Sequence, residues 1–336
     1  MCGIVGYIGQ SDAFPVLIEG LKRLEYRGYD SAGVALIGNQ DNLNVYKTKG
    51  KVSNLEAMAA DKDCSGHIGI AHTRWATHGE PSAANAHPHV SMSGELALVH
   101  NGIIENYQVL KEQLADKGYT FKSSTDTEVL VQLIDHYYQQ NGKDLVSAVC
   151  QALNDAIGAY AITVMEKKDP GHIVAARQSS PLVVGVGKDN KDFYIASDAT
   201  PIVEHTNKVV YLEDGEIADI RVGEELNIIN LEHASCSYTI KTVDLDISKL
   251  SKGGFDHYML KEIYEQPKAL RDTMTSRLDA EAKTIGFPEL NWTEEELREI
   301  NKIFIVACGT AYHAGIVGKY YLEQLARVPV EVDIAS

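Results

Sequence analysis

The first 240 residues alternate short apolar segments of strand length with a few longer segments of helical period. Gly3–Gly9 is an almost unbroken apolar run, which predicts a buried strand. Phe14–Tyr26 repeats its apolar residues at helical spacing, which predicts an amphipathic helix. Further strands are predicted at Ala32–Ile37, Leu43–Lys47, Ile68–Thr73, Leu96–His100, Tyr160–Met165, Ile173–Ala176, Leu182–Val186, Phe193–Ala196, Val209–Glu213 and Glu216–Arg221.

Helices are also predicted at Tyr107–Lys117, Thr127–Gln140 and Leu145–Ala156, with Asp126 as the N-cap of the second. Consecutive strands at close spacing, with the helices gathered elsewhere, are typical of stacked antiparallel sheets covered by helices. The pattern therefore predicts an α+β fold for residues 2–240.

A polar stretch near Lys241 ends this pattern. Residues 241–300 are predicted to be a linker that contains helices at Tyr258–Thr275 and Thr293–Ile300. One strand–turn–helix–strand unit follows, at Lys302–Ala307, Cys308–Thr310, Tyr312–Ala326 and Val330–Ile334. Because a parallel strand pair needs cover on both faces, we expect residues 301–336 to be an incomplete α/β (βαβ) domain.

Composition and charge narrow the class of function. The 336 residues suit two domains, and they contain 31 Lys and Arg against 47 Asp and Glu, a net charge of −16. So acidic a chain is a poor partner for nucleic acid or an anionic membrane, and no apolar run approaches the roughly 18–20 residues of a membrane span. Five widely spaced cysteines argue against a disulfide framework. We expect a cytoplasmic enzyme or small-molecule binder.

The N-terminus carries the first candidate for catalysis. Met1 precedes Cys2, Gly3 and a predicted buried strand, so removal of Met1 would leave Cys2 with both a thiol and a free α-amine. An α-amine has an ordinary pKa near 7.7–8.0 and can act as a base at neutral pH. A thiol beside its own base is an activated nucleophile. The alternative is a cysteine that follows Met by chance.

The loop His72–Pro81 follows a predicted strand and combines a cation, an indole, a hydroxyl and a glycine. Arg74 in such a loop can bind a carboxylate through two hydrogen bonds. The alternative is a solvated loop whose Trp75 folds back on the core. His87 and His89 lie nearby, but their irregular spacing and the absence of a cysteine pair predict no metal site.

Two further positions admit two interpretations each. Asn101-Gly102 ends a predicted strand, where a hairpin turn is the default explanation. The side-chain amide of Asn101 and the backbone N–H of Gly102 could instead form an oxyanion hole. Asp126 is most simply a helix cap, but it could also hold an ammonium group of a substrate.

Together these segments resemble the glutamine–fructose-6-phosphate aminotransferase family, the glucosamine-6-phosphate synthases. The resemblance implies a four-layer αββα N-terminal-nucleophile glutamine amidotransferase fold over residues 2–240, followed by sugar-isomerase domains. The matching segments span nearly the whole chain, at Met1–Gly6, Arg27–Gly33, His72–Pro81, Asn85–His89, His100–Asn106, Ser124–Glu128, Lys261–Pro267 and Cys308–Tyr312.

The resemblance also implies roles for individual residues. Cys2 would be the nucleophile and its α-amine the base, with Asn101 and Gly102 as the oxyanion hole. Thr310 would contact a sugar phosphate at a helix N-terminus, where helix electrostatics favour an anion.

The implied glutamine site draws on other segments of the chain. Arg74 would bind the α-carboxylate of L-glutamine, and Asp126 its α-ammonium. The remaining implied residues are Arg27 close to the nucleophile, and Trp75, Thr77 and His78 on the loop that closes the site.

In this family, ammonia released from glutamine aminates fructose 6-phosphate, without a cofactor or metal, in a cytoplasmic enzyme that is usually a homodimer. The family's later phosphate loop and isomerising residues are not among these 336 residues, so we expect only the glutaminase half-reaction. A non-catalytic glutamine-binding or regulatory fragment is the alternative. Asparagine synthetase and amidophosphoribosyltransferase are disfavoured, because their acceptor-site motifs are not found here.

Overall fold

Two antiparallel sheets form the framework of most of the chain in the computed structural model, which describes residues 2–25, 28, 30–75, 80–243, 253–275, 277–279, 284–286, 290 and 292–335. The chain divides after Tyr258 into two compact units, and both sheets lie in the first. The domain boundaries expected from the sequence, after residues 240 and 300, stay a prediction.

Strands and helices alternate irregularly along the first unit. Its helices are α1 (Ala13–Leu24), α2 (Val52–Ala59), α3 (Tyr107–Asp116), α4 (Asp126–Gln140) and α5 (Leu145–Asp155). Its strands are β1 (Gly3–Ile8), β2 (Ser31–Ile37), β3 (Leu43–Lys49), β4 (Ile68–Arg74), β5 (His89–Val90), β6 (Leu96–Ile104), β7 (Gly158–Glu166), β8 (His172–Gln178), β9 (Val183–Val186), β10 (Phe193–Ala196), β11 (Lys208–Tyr211), β12 (Glu216–Arg221), β13 (Asn227–Asn230) and β14 (Lys241–Thr242).

The strands form one sheet of eight and one of six. The first has the order β14-β11-β9-β10-β1-β4-β2-β3, and the second has the order β13-β12-β8-β7-β6-β5. Every neighbouring pair in both sheets is antiparallel. The neighbouring strands β1 and β4, inside the eight-stranded sheet, pair from Gly3 opposite Thr73 to Ile8 opposite Ile68.

The first unit has four layers, and an apolar cluster lies between each layer and the next. One cluster lies between the two sheets, a second joins α1 and α2 to the outer face of the eight-stranded sheet, and a third joins α3, α4 and α5 to the six-stranded sheet. The predicted α+β fold with αββα layers is confirmed. Each fully buried aliphatic or aromatic side chain in these clusters contributes roughly 1.5–3 kcal/mol to the stability.

The apolar run at the N-terminus is explained by these layers. Alternate side chains of a strand point to opposite faces, and in β1 Ile4 and Ile8 pack between the sheets while Val5 and Tyr7 pack against the helices. Both faces of the strand are therefore buried, which is why its sequence does not alternate with polar residues.

Two details of the helices in the first unit differ from the sequence prediction. The N-cap of α4 is Thr125, whose hydroxyl accepts a hydrogen bond from the Glu128 N–H, and Asp126 is the first helical residue. The predicted cap at Asp126 is therefore wrong by one position. The short helix α2 was not predicted, because its eight residues bury only three side chains, Val52, Leu55 and Ala59.

The second unit contains the predicted βαβ arrangement. Its described elements are α6 (Tyr258–Thr275), which starts at the unit boundary, and then β15 (Leu278–Asp279), β16 (Thr284–Ile285), α7 (Glu294–Glu299), β17 (Ile303–Ala307), α8 (Gly309–Leu325) and β18 (Val330–Ile334). The strands β17 and β18 are parallel. The predicted turn at Cys308–Thr310 is instead the start of α8, with Cys308 as N-cap.

The helix α8 covers one face of this strand pair. Gly315 lies so close to it that a Cβ there would be 2.8 Å from the Ile305 side chain. On the opposite face, Phe304 and Val306 are 64% and 61% exposed. Among the described residues, no helix combines the length and apolar character that a membrane span requires.

We expect limited proteolysis to remove residues 259–336 before it cleaves the sheets of the first unit. A strand pair covered on one face opens at a lower free-energy cost than a packed sandwich. Mass spectrometry of a digestion time course should show a persistent fragment that retains β1 to β14. Equal rates of cleavage in both units would contradict this expectation.

Candidate active site

Cys2 lies directly before β1, at the end of the eight-stranded sheet where β4 also ends. Its Sγ accepts a hydrogen bond from the Trp75 N–H at 3.2 Å, and the thiol is 3.5 Å from the Trp75 carbonyl oxygen. The pairing of Gly3 with Thr73 fixes this register. The sheet therefore places the thiol against the residues that follow β4.

Burial raises the pKa of the Cys2 thiol, and the Trp75 N–H and the Arg74 charge offset this only in part. The thiol is therefore protonated at neutral pH. Because the thiolate is the reactive form, this cysteine needs a base before it can attack a substrate.

The side-chain amide of Asn101 lies between Cys2 and His72. Its Nδ2 donates to the Cys2 carbonyl oxygen at 3.1 Å, and its Oδ1 lies 2.9 Å from Nε2 of His72. A carbonyl oxygen only accepts, so Nδ2 must face Cys2 and Oδ1 must face His72. It follows that Nε2 of His72 carries the proton and donates it to Asn101.

Gly102 continues β6 rather than forming a turn. Asn101 and Gly102 pair with Ala161 and Tyr160 of β7, so the hairpin interpretation of Asn101-Gly102 is wrong. Gly102 has a φ of +122°, and a Cβ at this position would lie 2.0 Å from the Ala159 carbonyl oxygen. Only glycine fits there.

Asp126 is a buried carboxylate beside the end of β6. Its Oδ2 accepts a hydrogen bond from the Ile104 N–H at 2.8 Å and lies 3.9 Å from Nδ1 of His100. Its Oδ1 accepts no hydrogen bond from the residues that the structure describes. Oδ1 can therefore accept a hydrogen bond from a further donor.

Arg74 ends β4 and is 5% exposed, whereas Trp75 is 46% exposed. Nη1 of Arg74 lies 3.5 Å from the Glu80 carbonyl oxygen. The structure thus brings Cys2, Arg74, Trp75 and Asn101 to one end of the eight-stranded sheet and its neighbour β6. Three other predicted site residues, Arg27, Thr77 and His78, lie outside the described residues.

Thr310 is the second residue of α8 and is exposed. It belongs to the second unit, in which the helix N-terminus is preceded by Cys308. The predicted position of Thr310 at a helix N-terminus agrees with this local geometry.

Four histidines form a buried cluster next to Asn101. The rings of His72 and His87 stack at 4.2 Å, and His87 meets His89 edge to face at 5.0 Å. Burial lowers the pKa of His72 to about 3, and it lowers the pKa of His87, His89 and His100 below the ordinary value. All four are neutral at pH 7.

Sequence reasoning gave His72 and His100 no role and considered His87 and His89 only as metal ligands. In the structure, Nδ1 of His87 accepts from the His100 N–H at 3.4 Å, and Nε2 of His89 lies 3.1 Å from the Thr125 hydroxyl. The signal available in the sequence is several histidines within and beside otherwise apolar strands.

One other cluster in the described part of the chain has the composition of a metal site. The ligand atoms of Glu166, Asp169 and His172 lie within 4.8 Å of one another. However, Arg221 donates to Asp169 at 2.8 Å and lies 3.1 Å from Nδ1 of His172. A guanidinium already supplies positive charge here, so we interpret the cluster as an ion-pair network.

The chain is similar to known glutamine amidotransferases. Residues 58–220 match the family model described as a glutamine amidotransferase domain. A solved "allosteric regulatory enzyme of purine biosynthesis" is similar with a TM-score of 0.58 and 29% identity, over 68% of this chain and 49% of that chain. A glutamine phosphoribosylpyrophosphate amidotransferase from B. subtilis shares the fold, with a TM-score of 0.59 and 23% identity over 98% of this chain and 65% of that one.

The fold and the comparisons indicate a glutamine amidotransferase domain, and the structural neighbours are of the N-terminal-nucleophile class. Over its whole length the chain is 59% identical to the glutamine–fructose-6-phosphate aminotransferase [isomerizing] of Bacteroides thetaiotaomicron and 49% identical to that of Clostridium acetobutylicum. It covers 54% of each relative, so it spans about half the length of the curated relatives it matches. The chain is thus a relative of the glutamine–fructose-6-phosphate aminotransferases, and it covers their glutaminase half.

The buried histidines predict that the free energy of unfolding falls steeply below about pH 6.5. An unfolded histidine takes up a proton near its ordinary pKa of about 6.5, whereas the folded imidazoles stay neutral. The unfolded state therefore binds more protons, and each buried histidine contributes a slope of up to about 1.4 kcal/mol per pH unit. Urea denaturation at pH 7.5, 6.5 and 5.5 measures this slope.

His87→Phe keeps a ring in the stack and should reduce the slope by about one proton. His233 is exposed and has a φ of +62° that Asn tolerates, so His233→Asn is the matched control and should leave the slope unchanged. His172 opposes the trend: burial disfavours its protonation, but Asp219 and Glu166 raise its pKa overall. A slope near zero in the parent chain would contradict neutral buried histidines.

Proposed function

We propose that the chain hydrolyses glutamine to glutamate and ammonia, with Cys2 as the nucleophile. The observation that carries this proposal is the hydrogen-bonded arrangement of Cys2, Asn101 and His72. It holds a donor amide next to a thiol in a glutamine amidotransferase domain. A cysteine that followed Met1 by chance would not need such an arrangement.

The α-amine of Cys2, exposed once Met1 is removed, would take the thiol proton. The raised pKa of the thiol makes such a base necessary. The thiolate then attacks the carboxamide carbon of glutamine, and the amine returns its proton to the departing ammonia. The resulting thioester is hydrolysed by water, which releases glutamate and restores the thiol.

The oxyanion formed in each attack would be held by Asn101 and Gly102. The Asn101 amide has two N–H groups, and one of them already bonds to the Cys2 carbonyl oxygen. The second has no partner among the residues that the structure describes, and it would donate to the oxyanion. His72 holds the amide oxygen on the other side, so the donor does not need to reorient during the reaction.

The charged groups of glutamine match two buried side chains of opposite charge. Arg74 would bind the α-carboxylate through its guanidinium. Asp126 would bind the α-ammonium through its remaining oxygen. Arg27, Trp75, Thr77 and His78 would complete the glutamine site, as the family resemblance implies.

For the whole protein we propose transfer of the ammonia to fructose 6-phosphate, which gives glucosamine 6-phosphate, with Thr310 contacting the sugar phosphate. The relatives' name, glutamine–fructose-6-phosphate aminotransferase [isomerizing], supports this substrate. We place the protein in the cytoplasm, which agrees with five unpaired cysteines. The homodimer implied by the family stays a prediction, as do the expected absences of a cofactor, a metal, nucleic acid and a membrane.

Cys2→Ala should reduce glutamate release to the level of buffer, because it removes the nucleophile. Cys64→Ala is the matched control and should retain activity, since the Cys64 thiol donates to the Ala59 carbonyl oxygen and packs against the apolar cluster of α1 and α2, away from Cys2. Glutamate is measured enzymatically, and mass spectrometry should show that an electrophilic glutamine analogue labels Cys2 alone. Hydrolysis by Cys2→Ala would refute the nucleophile, and glutamine binding without hydrolysis by the parent chain would favour the regulatory alternative.

Asn101→Ala should lower kcat about 10²–10³-fold with little change in KM, because it removes a donor to the oxyanion. Arg74→Ala should act mainly through KM, since the α-carboxylate is bound alike in ground and transition states. Asn154→Ala is a surface control. Steady-state kinetics on folded variants distinguish the two roles, and exchanged effects on kcat and KM would show that the assignments are wrong.

A further inference from the structure

A cavity lies in the first unit, between the edge strand β3, the strand β5 and the first turns of α4. Its volume is about 550 Å³, within the range of roughly 300–1,000 Å³ that is typical of small-molecule sites. Its lining includes none of Cys2, Arg74, Asn101 or Asp126. The proposed glutaminase chemistry does not use this cavity.

Lys47 supplies a cation to the cavity wall. Its Nζ donates to the Ala84 carbonyl oxygen at 3.2 Å, and no carboxylate in the described part of the chain lies within ion-pair distance of it. Burial lowers the pKa of Lys47 to about 8, although Glu128 raises it in part. A desolvated ammonium without an anionic partner is costly, and an anion in the cavity would remove that cost.

Glu128 lines the cavity but does not neutralise Lys47. Its carboxylate accepts hydrogen bonds from the Lys122 N–H at 2.8 Å and from the N–H and hydroxyl of Ser123 at 2.6 Å each. These donors stabilise the carboxylate at the start of α4, where the helix dipole is positive. The Glu128 carboxylate is therefore already hydrogen-bonded to three donors, and it acts on Lys47 only through its charge at longer range.

Gln132 supplies an independent hydrogen-bond donor. It is 2% exposed, and its Oε1 accepts from the Met92 N–H at 2.8 Å. This bond assigns the oxygen, so the other end of the amide is the Nε2 group, which has no partner among the described residues. Because Gln132 lines the cavity, a buried amide N–H₂ is available to whatever occupies it.

We propose that this cavity binds a small organic carboxylate, with the carboxylate on Lys47 and Gln132 and an apolar body against the remaining wall. The Lys47 ammonium and the Gln132 amide would together hold a single negative charge. Lys122 also lines the cavity but is exposed to solvent, and the nearby Glu128 disfavours a doubly charged group. The apolar wall is formed by Val45, Pro88, Val90 and Met92.

Isothermal titration calorimetry of the full chain with benzoate, at constant ionic strength, tests the proposal. Neutral benzamide of the same shape, and inorganic phosphate, are the comparison probes. We expect benzoate to bind more tightly than either. Equal affinity for benzamide would overturn the role of Lys47, tighter binding of phosphate would overturn the carboxylate, and binding of none of the probes in the millimolar range would overturn the site.

Lys47→Met should weaken benzoate binding about tenfold or more, because it removes a charged hydrogen bond, and Gln132→Leu should weaken it less. Lys191→Met is the matched control outside the cavity and should change nothing. Unaltered affinity in Lys47→Met would overturn the proposal.

A measurement on the parent chain makes the test independent of variant folding. Benzoate binding should weaken as the pH rises above about 8, because Lys47 then loses its proton and with it its positive charge. The other ionisable groups that line the cavity are His89, which burial keeps neutral at these pH values, Glu128 and Lys122. Affinity that stays constant between pH 7 and 9.5 would count against Lys47 as the anchor.

Discussion

The hydrogen bond from Asn101 to the Cys2 carbonyl joins the two sheets at the candidate active site. Cys2 leads into the central strand of the eight-stranded sheet, and Asn101 lies on the six-stranded sheet. The separation of the two sheets is set by the apolar cluster between them, to which Ile4 and Val99 contribute from opposite sides. The distance between the proposed nucleophile and its oxyanion donor therefore depends on core packing, which is stiff.

Charged and neutral groups occupy different parts of the site. Arg74 and Asp126 are the ionisable groups proposed to bind the two charges of the amino-acid backbone, which do not change during the reaction. Around the reacting amide the thiol of Cys2 is protonated and His72 is neutral. Hydrogen-bond donors act more strongly where no competing charge or water is present. Because the histidines are neutral, no charge competes with the hydrogen-bond donors of the proposed oxyanion site, and no unpaired charge is buried in the core.

Much of the fold could be predicted from sequence because the apolar pattern records burial directly. The unbroken run in β1 and the helical period of α1 gave the right elements. Asn101-Gly102 could not be interpreted correctly from local sequence, because its extended conformation depends on pairing with β7 some sixty residues later. The same limit applies to His72, because its hydrogen bond to Asn101 forms only when the fold brings β4 and β6 together. At Thr125–Asp126 either residue is a good cap, and hydrogen-bond geometry alone decides between them.

The orientation of Asn101 depends on a series of contacts that begins at Gly33 in β2, away from the candidate active site. Gly33 in β2 lets the backbone of His87 approach so closely that a Cβ would lie 2.1 Å from its carbonyl oxygen. This approach places the His87 ring against His72 at 4.2 Å, and His72 in turn donates to Asn101. A side-chain amide can rotate at low cost when it is solvated, but here each rotation would break a hydrogen bond inside a packed cluster. The cluster thus fixes which end of the amide faces Cys2, and it does so with neutral groups that leave the charge of the site unchanged.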